Sequence, residues 1–279
     1  MSISFRNIVI VGNRNDSRVA EPLVLLSDHL KKAGANLLHQ DQISDADLVM
    51  SIGGDGTMLY ASRLTRETGT PILGINRGRL GFLADVTPDE LVSSVDNVLS
   101  GNFTTDSRLL LEARLHRKSG DDLVSYALND IVLQRRETGR MVDFETRVAG
   151  QYVNTHSGDG LIVATPTGST AYALSCGGPI IEPQLDAVVI VPVCPHTLTD
   201  RPIVISADQS IEVMLLQRDE TKAEITVDGF SMGAINPADK LRISAANSRV
   251  TLVHPPGYDF YGILLSKLFW GRDNRKRDV

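Results

Sequence analysis

The hydrophobic period of this chain changes near residue 104, and that change limits the folds open to it. Over residues 5–101, short apolar runs alternate with segments of helical spacing. Ile8-Val9-Ile10-Val11 and Leu48-Val49-Met50-Ser51-Ile52 are continuous runs of the kind buried on both faces of a parallel sheet. Val19, Leu23, Leu26 and Leu30 recur at helical spacing over 18–33, with Pro22 near the first turn and Gly34 as the C-terminal stop. A second helix is predicted over about 58–67, then a strand at Pro71-Ile72-Leu73-Gly74-Ile75. Thr87-Pro88-Asp89-Glu90 starts a third helix, with Thr87 as N-cap, which should run to Gly101. This alternation predicts an α/β N-terminal domain with a parallel, Rossmann-like sheet.

After residue 104 the helical spacing gives way to short alternating runs separated by Gly, Asp and Ser turns. They include Leu109–His116, Tyr126–Gln134, Val142–Val148, Ile203–Ser206, Ile211–Leu215, Ala223–Val227, Leu241–Ser244 and Val250–Val253. Such runs predict a β-rich, mostly antiparallel C-terminal domain. An amphipathic segment, Tyr261–Trp270, closes the chain. The expected division is 1–103, 104–256, and a C-terminal helix and tail over 257–279 that returns to the first domain.

Composition excludes several classes of function. A net charge of −6 offers no basic field to a nucleic acid. The basic cluster Arg272, Arg275, Lys276 and Arg277 is interleaved with Asp273 and Asp278 and reads as a solvated tail. No run approaches the ~18 apolar residues of a membrane span. The N-terminus lacks the pattern of a secretion signal, so a cytoplasmic protein is expected. Cys176 and Cys194 match no metal or redox spacing and read as buried free thiols.

Two segments carry candidate chemistry. Gly53-Gly54-Asp55-Gly56-Thr57 joins a predicted strand to a predicted helix, where bare N–H groups favour an anion. Asp55 would repel a phosphate that was only to be bound, so it points to chemistry on the phosphate: taking a proton, or helping to hold a metal. Alone, the loop reads equally well as a capped connection. It is neither a P-loop nor a dinucleotide fingerprint. The second segment runs from Gly158-Asp159-Gly160 through Leu161–Ala164 to Thr165-Pro166-Thr167-Gly168-Ser169-Thr170-Ala171-Tyr172. Its hydroxyls and backbone amides can bond a nucleobase, ribose or phosphate without adding charge, and Tyr172 can support a purine face, although alone the segment reads at least as well as an Asp-Gly turn and a Thr/Ser-capped helix.

Together with Gly78-Arg79-Leu80-Gly81-Phe82-Leu83, Asn129-Asp130 and Pro195-His196-Thr197-Leu198-Thr199-Asp200-Arg201-Pro202, these segments resemble the NAD kinase family in order and spacing. The resemblance covers nearly the whole chain and implies an NAD kinase/diacylglycerol kinase-like fold. It implies transfer of the γ-phosphate of ATP to the 2′-hydroxyl of the adenosine ribose of NAD⁺, with Asp55 as base. Gly53, Gly54, Gly56 and Thr57 then surround the transferring phosphate. Asn129, Asp130, Thr170, Ala171, Tyr172 and Ser175 contact the adenosine part of NAD⁺, and Asp159 the nicotinamide side. His196 and Arg201 fall near the site, the one a ligand contact or a structural bond, the other a phosphate contact or a buried charge partner. Mg²⁺ or another divalent cation should arrive with ATP, with no dedicated protein site. A homodimer or homotetramer is implied as well.

Three positions depart from the family pattern. Asp130 stands where many members have Glu. Ser157 replaces a frequent basic residue, for which Arg140 is a candidate substitute. Phe230 follows Asp228-Gly229, where a polar residue is common. Two other classes remain open at this point: a kinase acting on a lipid or sugar phosphate, and a non-catalytic NAD(P)-sensing module.

Overall fold

The computed structural model describes residues 3–78, 81–136, 141–217 and 222–270. The chain forms two compact units, Met1–Asp106 with Thr251–Val279, and Ser107–Val250. The basic cluster at 272–277 lies outside the described residues.

In the first unit the continuous apolar runs become a parallel sheet. Strands β1 (Asn7–Gly12), β2 (Asn36–Leu38), β3 (Leu48–Gly53) and β4 (Ile72–Asn76) pair in the order β2-β1-β3-β4. Every residue of β3 and β4 is buried, which is why neither run alternates. Helix α1 (Ser17–Lys32) places Val19, Leu26 and Leu30 in the core, with the Asp16 carboxylate accepting the Arg18 N–H at its start and Gly34 left-handed past its end. Helix α2 (Asp55–Thr65) starts earlier than the periodicity predicts. Helix α3 (Leu91–Leu99) buries Leu91, Val95, Val98 and Leu99. A short 3₁₀ turn, Pro88–Glu90, precedes it, and the Thr87 hydroxyl donates to the Glu90 carboxylate (2.8 Å) instead of capping the helix.

In the second unit the alternating runs form antiparallel strands: β5 (Thr104–His116), β6 (Leu123–Ala127), β7 (Asp130–Arg135), β8 (Val142–Val148), β9 (Gln151–Gly158), β10 (Gly160–Ala164), β11 (Ala187–Val193), β12 (Ile203–Ser206), β13 (Ile211–Leu215), β14 (Ala223–Val227), β15 (Phe230–Ile235) and β16 (Lys240–His254). One sheet pairs in the order β12-β11-β10-β7-β14-β15. Strand β16 pairs with β13, β13 with β8, and β8 with β9, while β5 pairs with β6. Strand β8 alternates strictly and buries Val142, Phe144, Thr146 and Val148. Strand β10, central in its sheet, is buried throughout.

Three runs differ from expectation, each for a physical reason. Leu241–Ser244 and Val250–Val253 are two ends of one strand, β16, because residues 245–249 are extended but mostly half-exposed and so lose the apolar period. Tyr126–Gln134 breaks into β6 and β7 at Leu128-Asn129, whose N–H groups bond a carboxylate. Strands β9 and β15 are edge strands with exposed polar and apolar residues mixed, so no period marks them.

The last residues of β16, Leu252 and Val253, run parallel to β4 in the first unit. Two short helical pieces, a 3₁₀ turn at Thr167–Thr170 and α4 (Tyr172–Ser175), follow β10. Helix α5 (Phe260–Leu268) closes the described chain and belongs to the first unit. Among the described residues no helix is long and apolar enough to cross a membrane. Phe144 is fully buried and stacks on His156 with ring centroids 5.2 Å apart. Phe144→Ala should therefore cost about 3–5 kcal/mol, read as a lower urea midpoint at unchanged slope.

Candidate active site

The predicted chemistry lies on two groups of residues, one in each unit. In the first, β3 ends at Gly53 and Gly54 caps α2, its carbonyl accepting from the N–H groups of Thr57 (2.9 Å) and Met58 (3.3 Å). Asp55 is thus the first residue of the helix, not the middle of a free turn. The helix was expected only near Met58 because Gly and Asp are weak helix formers and leave no apolar signal. The Thr57 side chain fills the space a Cβ at Gly53 would need, whereas Gly54 and Gly56 face open space. The first N–H groups of α2, which have no intrahelical acceptor, are accessible to an anion there.

The Asp55 carboxylate is held from a second segment. The N–H of Phe82 donates to Oδ2 (3.1 Å) and that of Leu83 to Oδ1 (3.2 Å). Gly81 makes this approach possible, since any side chain there would strike the carboxylate. Each oxygen keeps a lone pair for a further donor. Arg79 and Leu80 of the same motif lie outside the described residues. A cavity of about 520 Å³ in this unit, lined by Asp85, Glu90, Tyr258 and Asp259 among others, contains none of the candidate residues.

In the second unit Asn129 and Asp130 sit where β6 gives way to β7. The Asp228 carboxylate accepts three consecutive N–H groups, from Leu128 (2.8 Å), Asn129 (2.8 Å) and Asp130 (3.1 Å). Burial, and then the Asp228 charge, push the Asp130 carboxyl up to about 7. Gly168 packs so closely on this corner that a Cβ would collide with the Asn129 backbone. Asn129 Oδ1 is buried without a hydrogen-bond partner.

The hydroxyl-rich segment behaves differently from the expectation that its hydroxyls face a ligand. Thr165 Oγ1 donates to the Leu128 carbonyl (2.5 Å) and accepts from Gly168 N–H (3.0 Å), and Ser169 Oγ bonds the Pro166 carbonyl (2.6 Å) and Ile181 N–H (3.0 Å). Thr165, Thr167 and Ser169 are buried and hold the turn. Toward solvent this leaves Thr170 and Ala171, half-buried, and Tyr172 and Ser175, exposed. Burial raises the Tyr172 hydroxyl, beside Cys176, and likewise the Cys176 thiol. The cysteines are free but neither is buried: Cys176 is half-buried, and Cys194 stands exposed in a left-handed turn past β11.

Asp159 pairs with Arg135, Nε to Oδ1 at 2.8 Å and Nη2 to Oδ2 at 3.3 Å, so its charge is already matched. The His196 ring is exposed, and its backbone N–H bonds the Ser157 carbonyl (2.8 Å). Arg201 is exposed, with Nη1 on the Leu198 (2.6 Å) and Asp200 (2.7 Å) carbonyls, so the buried-charge reading falls. Arg140 lies outside the described residues. Sequence reasoning missed Asp228, Arg135 and the buried pair His156 Nδ1–Asp200 Oδ2 (2.9 Å). An Asp-Gly turn was the only signal for Asp228, and nothing local marks the other two. Among the described residues no group of three or more His, Cys, Asp or Glu is placed to hold a metal ion.

The chain matches the models of the ATP-NAD kinase N-terminal domain over residues 14–103 and of the ATP-NAD kinase C-terminal domain over residues 128–255. It is 40% identical over 290 residues to the NAD kinase of Nitrosococcus oceani, covering 98% of this chain and 99% of that one. With the NAD kinase of Azotobacter vinelandii it shares 42% identity over 285 residues, 96% of this chain and 97% of that one. A crystal structure of yeast NADH kinase complexed with NADH shares the fold, with a TM-score of 0.90 at 24% identity over 97% of this chain and 89% of that one. An NAD kinase from Archaeoglobus fulgidus in complex with ATP superposes with a TM-score of 0.74 at 26% identity, covering 95% of this chain and 98% of that one. The chain belongs to the NAD kinase family.

Proposed function

We propose that this protein is an NAD⁺ kinase that transfers the γ-phosphate of ATP to the 2′-hydroxyl of the adenosine ribose of NAD⁺, giving NADP⁺ and ADP. The observation that carries the reading is Asp55, first residue of α2, its carboxylate steadied by two backbone N–H groups beside glycines that leave the helix start open. Phosphoryl transfer asks a protein chiefly for positioning and for donors to the phosphate oxygens. A ribose hydroxyl also needs a base. Asp55 takes its proton, the oxygen bonds the γ-phosphorus, the bond from that phosphorus to the bridging oxygen breaks, and ADP leaves. Gly53, Gly54, Gly56 and Thr57 frame the phosphate.

Asn129 and Asp130 take the adenosine ribose, and Thr170, Ala171, Tyr172 and Ser175 border the adenine. Asp159, tied to Arg135, faces the nicotinamide side, and His196 and Arg201 line the approach. The donor set suits a nucleotide-borne Mg²⁺ better than a resident one: a hard cation binds through phosphate oxygens and one or two carboxylates, and Asp55 is the carboxylate at the loop. When bound, Mg²⁺ neutralises charge developing on the phosphates. A cytoplasmic enzyme fits these substrates and the free thiols. A homodimer or homotetramer fits the exposed Tyr152, Val153, Ile203 and Val204 on the edge strands β9 and β12. Nothing in the comparisons favours a lipid or sugar phosphate acceptor or a sensing module.

Incubation with NAD⁺, ATP and Mg²⁺ should yield NADP⁺ in an NADP⁺-specific assay, and its absence with every phosphoryl donor would overturn the reading. Asp55→Asn should lower kcat by roughly 10²–10⁴ with NAD⁺ binding largely intact, and wild-type turnover in that variant would remove Asp55 from the role of base.

Asp130 gives two pH predictions. Its folded value of about 7 lies above the ordinary carboxylate value, so the folded state holds a proton that the unfolded chain releases. That contribution to stability is present at low pH and is lost as pH rises from about 4 to about 7. Asp130→Asn should therefore melt at a higher temperature than wild type at pH 8 and at nearly the same temperature at pH 4 or below, measured by calorimetry. An ionised Asp130 accepts from ribose hydroxyls with both oxygens, so the KM for NAD⁺ should fall as pH rises through about 7.

A further inference from the structure

We infer that Asp228 is a positioning residue of the acceptor site, its buried carboxylate fixing the Leu128–Asp130 corner so that Asn129 and Asp130 meet the substrate ribose. The inference rests on the NAD kinase reading and extends it to a residue that touches neither substrate. Asp228 is 6% exposed, at the turn between β14 and β15. Oδ2 accepts the Leu128 N–H, and Oδ1 accepts those of Asn129 and Asp130. Its own N–H donates to the Asp130 carbonyl (2.9 Å), so corner and turn are tied in both directions. Asp228 is left-handed (φ 50°), and Gly229 after it is too (φ 79°). That conformation costs a non-glycine residue energy and is tolerated best by Asp and Asn.

A turn that only needed closing would not call for this arrangement. Three successive N–H groups on one carboxylate form an anion nest filled from within the protein. The nest turns Asn129 out of the strand ladder while its carbonyl is held by Thr165 N–H (2.9 Å) and its backbone lies against Gly168. Held so, Asn129 Oδ1 is buried and unpartnered, as befits an acceptor awaiting a ligand's donor. The same carboxylate stands beside Asp130, and like charges at close range are costly, an arrangement concentrated at functional sites.

The Asp228 charge also adds to burial in raising the pH at which Asp130 becomes an acceptor. Among the described residues, the groups around that corner include Asp228 from the β14–β15 turn, the uncharged Ala164 opposite Asp130 on β10, and Arg108 on β5, which donates to Thr167 Oγ1 (3.3 Å) just before Gly168.

The test is Asp228→Asn in the full chain, read by calorimetric NAD⁺ affinity across pH 5.5–8.5 and by KM values for both substrates. Losing one charge-assisted bond predicts NAD⁺ binding weaker by roughly ten- to a hundredfold. The midpoint of its pH dependence should move to lower pH, with the ATP KM within about twofold. NAD⁺ affinity and a pH midpoint like those of wild type would overturn the inference, as would equal weakening toward both substrates. Should that variant not fold, Asp228→Glu keeps the charge and displaces the oxygens. It should weaken NAD⁺ binding while leaving the pH midpoint near wild type, and unaltered NAD⁺ affinity there would also overturn the inference. A wild-type protein that binds NAD⁺ but makes no NADP⁺ would sink the proposed reaction instead, with the affinity comparison still deciding Asp228.

Discussion

The acceptor half of this protein depends on a backbone-to-backbone contact that only glycine permits. Gly168 lies against the carbonyl, C and Cα of Asn129, where any Cβ would collide. The contact brings a turn that follows β10 onto the break between β6 and β7, segments nearly forty residues apart in sequence. Thr165 then bonds the Leu128 carbonyl and Asp228 the N–H groups, so the break is satisfied on both sides of the peptide. The hydroxyls between Thr165 and Ser169 maintain that geometry. The polar character of the segment reflects a buried scaffold more than a ligand surface.

The phosphate loop solves a related problem with the opposite use of glycine. Gly81 lets backbone N–H groups reach the Asp55 carboxylate, while Gly54 and Gly56 leave empty space beside it. A carboxylate among phosphates is repulsive unless its position is fixed and its oxygens are partly satisfied. The two N–H donors supply both conditions without adding a cation that would compete for the phosphate. The loop therefore combines a helix start that favours an anion with a constrained carboxylate, the two parts on which the proposed transfer rests.

Much of this was legible in the sequence. The continuous apolar runs of β1, β3 and β4 and the strict alternation of β8 are direct images of two-sided and one-sided burial. The five motifs identified the family and the reaction by resemblance. What stayed hidden was long-range. Asp228 bonds residues about a hundred positions away, Arg135 finds Asp159 across a pair of strands, and Asp200 reaches His156 from a loop. Local periodicity carries no trace of such pairs. The start of α2 and the interior of β16 were misread because glycine, aspartate and exposed small residues have regular backbone without an apolar signature.

The shorter carboxylate at Asp130 is best understood from that same corner. A Glu would carry its charge one methylene farther from the backbone that Asp228 grips, and farther from Asp228 itself. With Asp, the two carboxylates stay close, and burial and like charge hold Asp130 near the point of half-protonation at neutral pH. In the proposed site it is the ionised form that accepts from ribose hydroxyls with both oxygens. Burial and the Asp228 charge thus govern the protonation balance at this corner of the proposed acceptor site. On the proposed reading, that balance is what couples dinucleotide binding to pH.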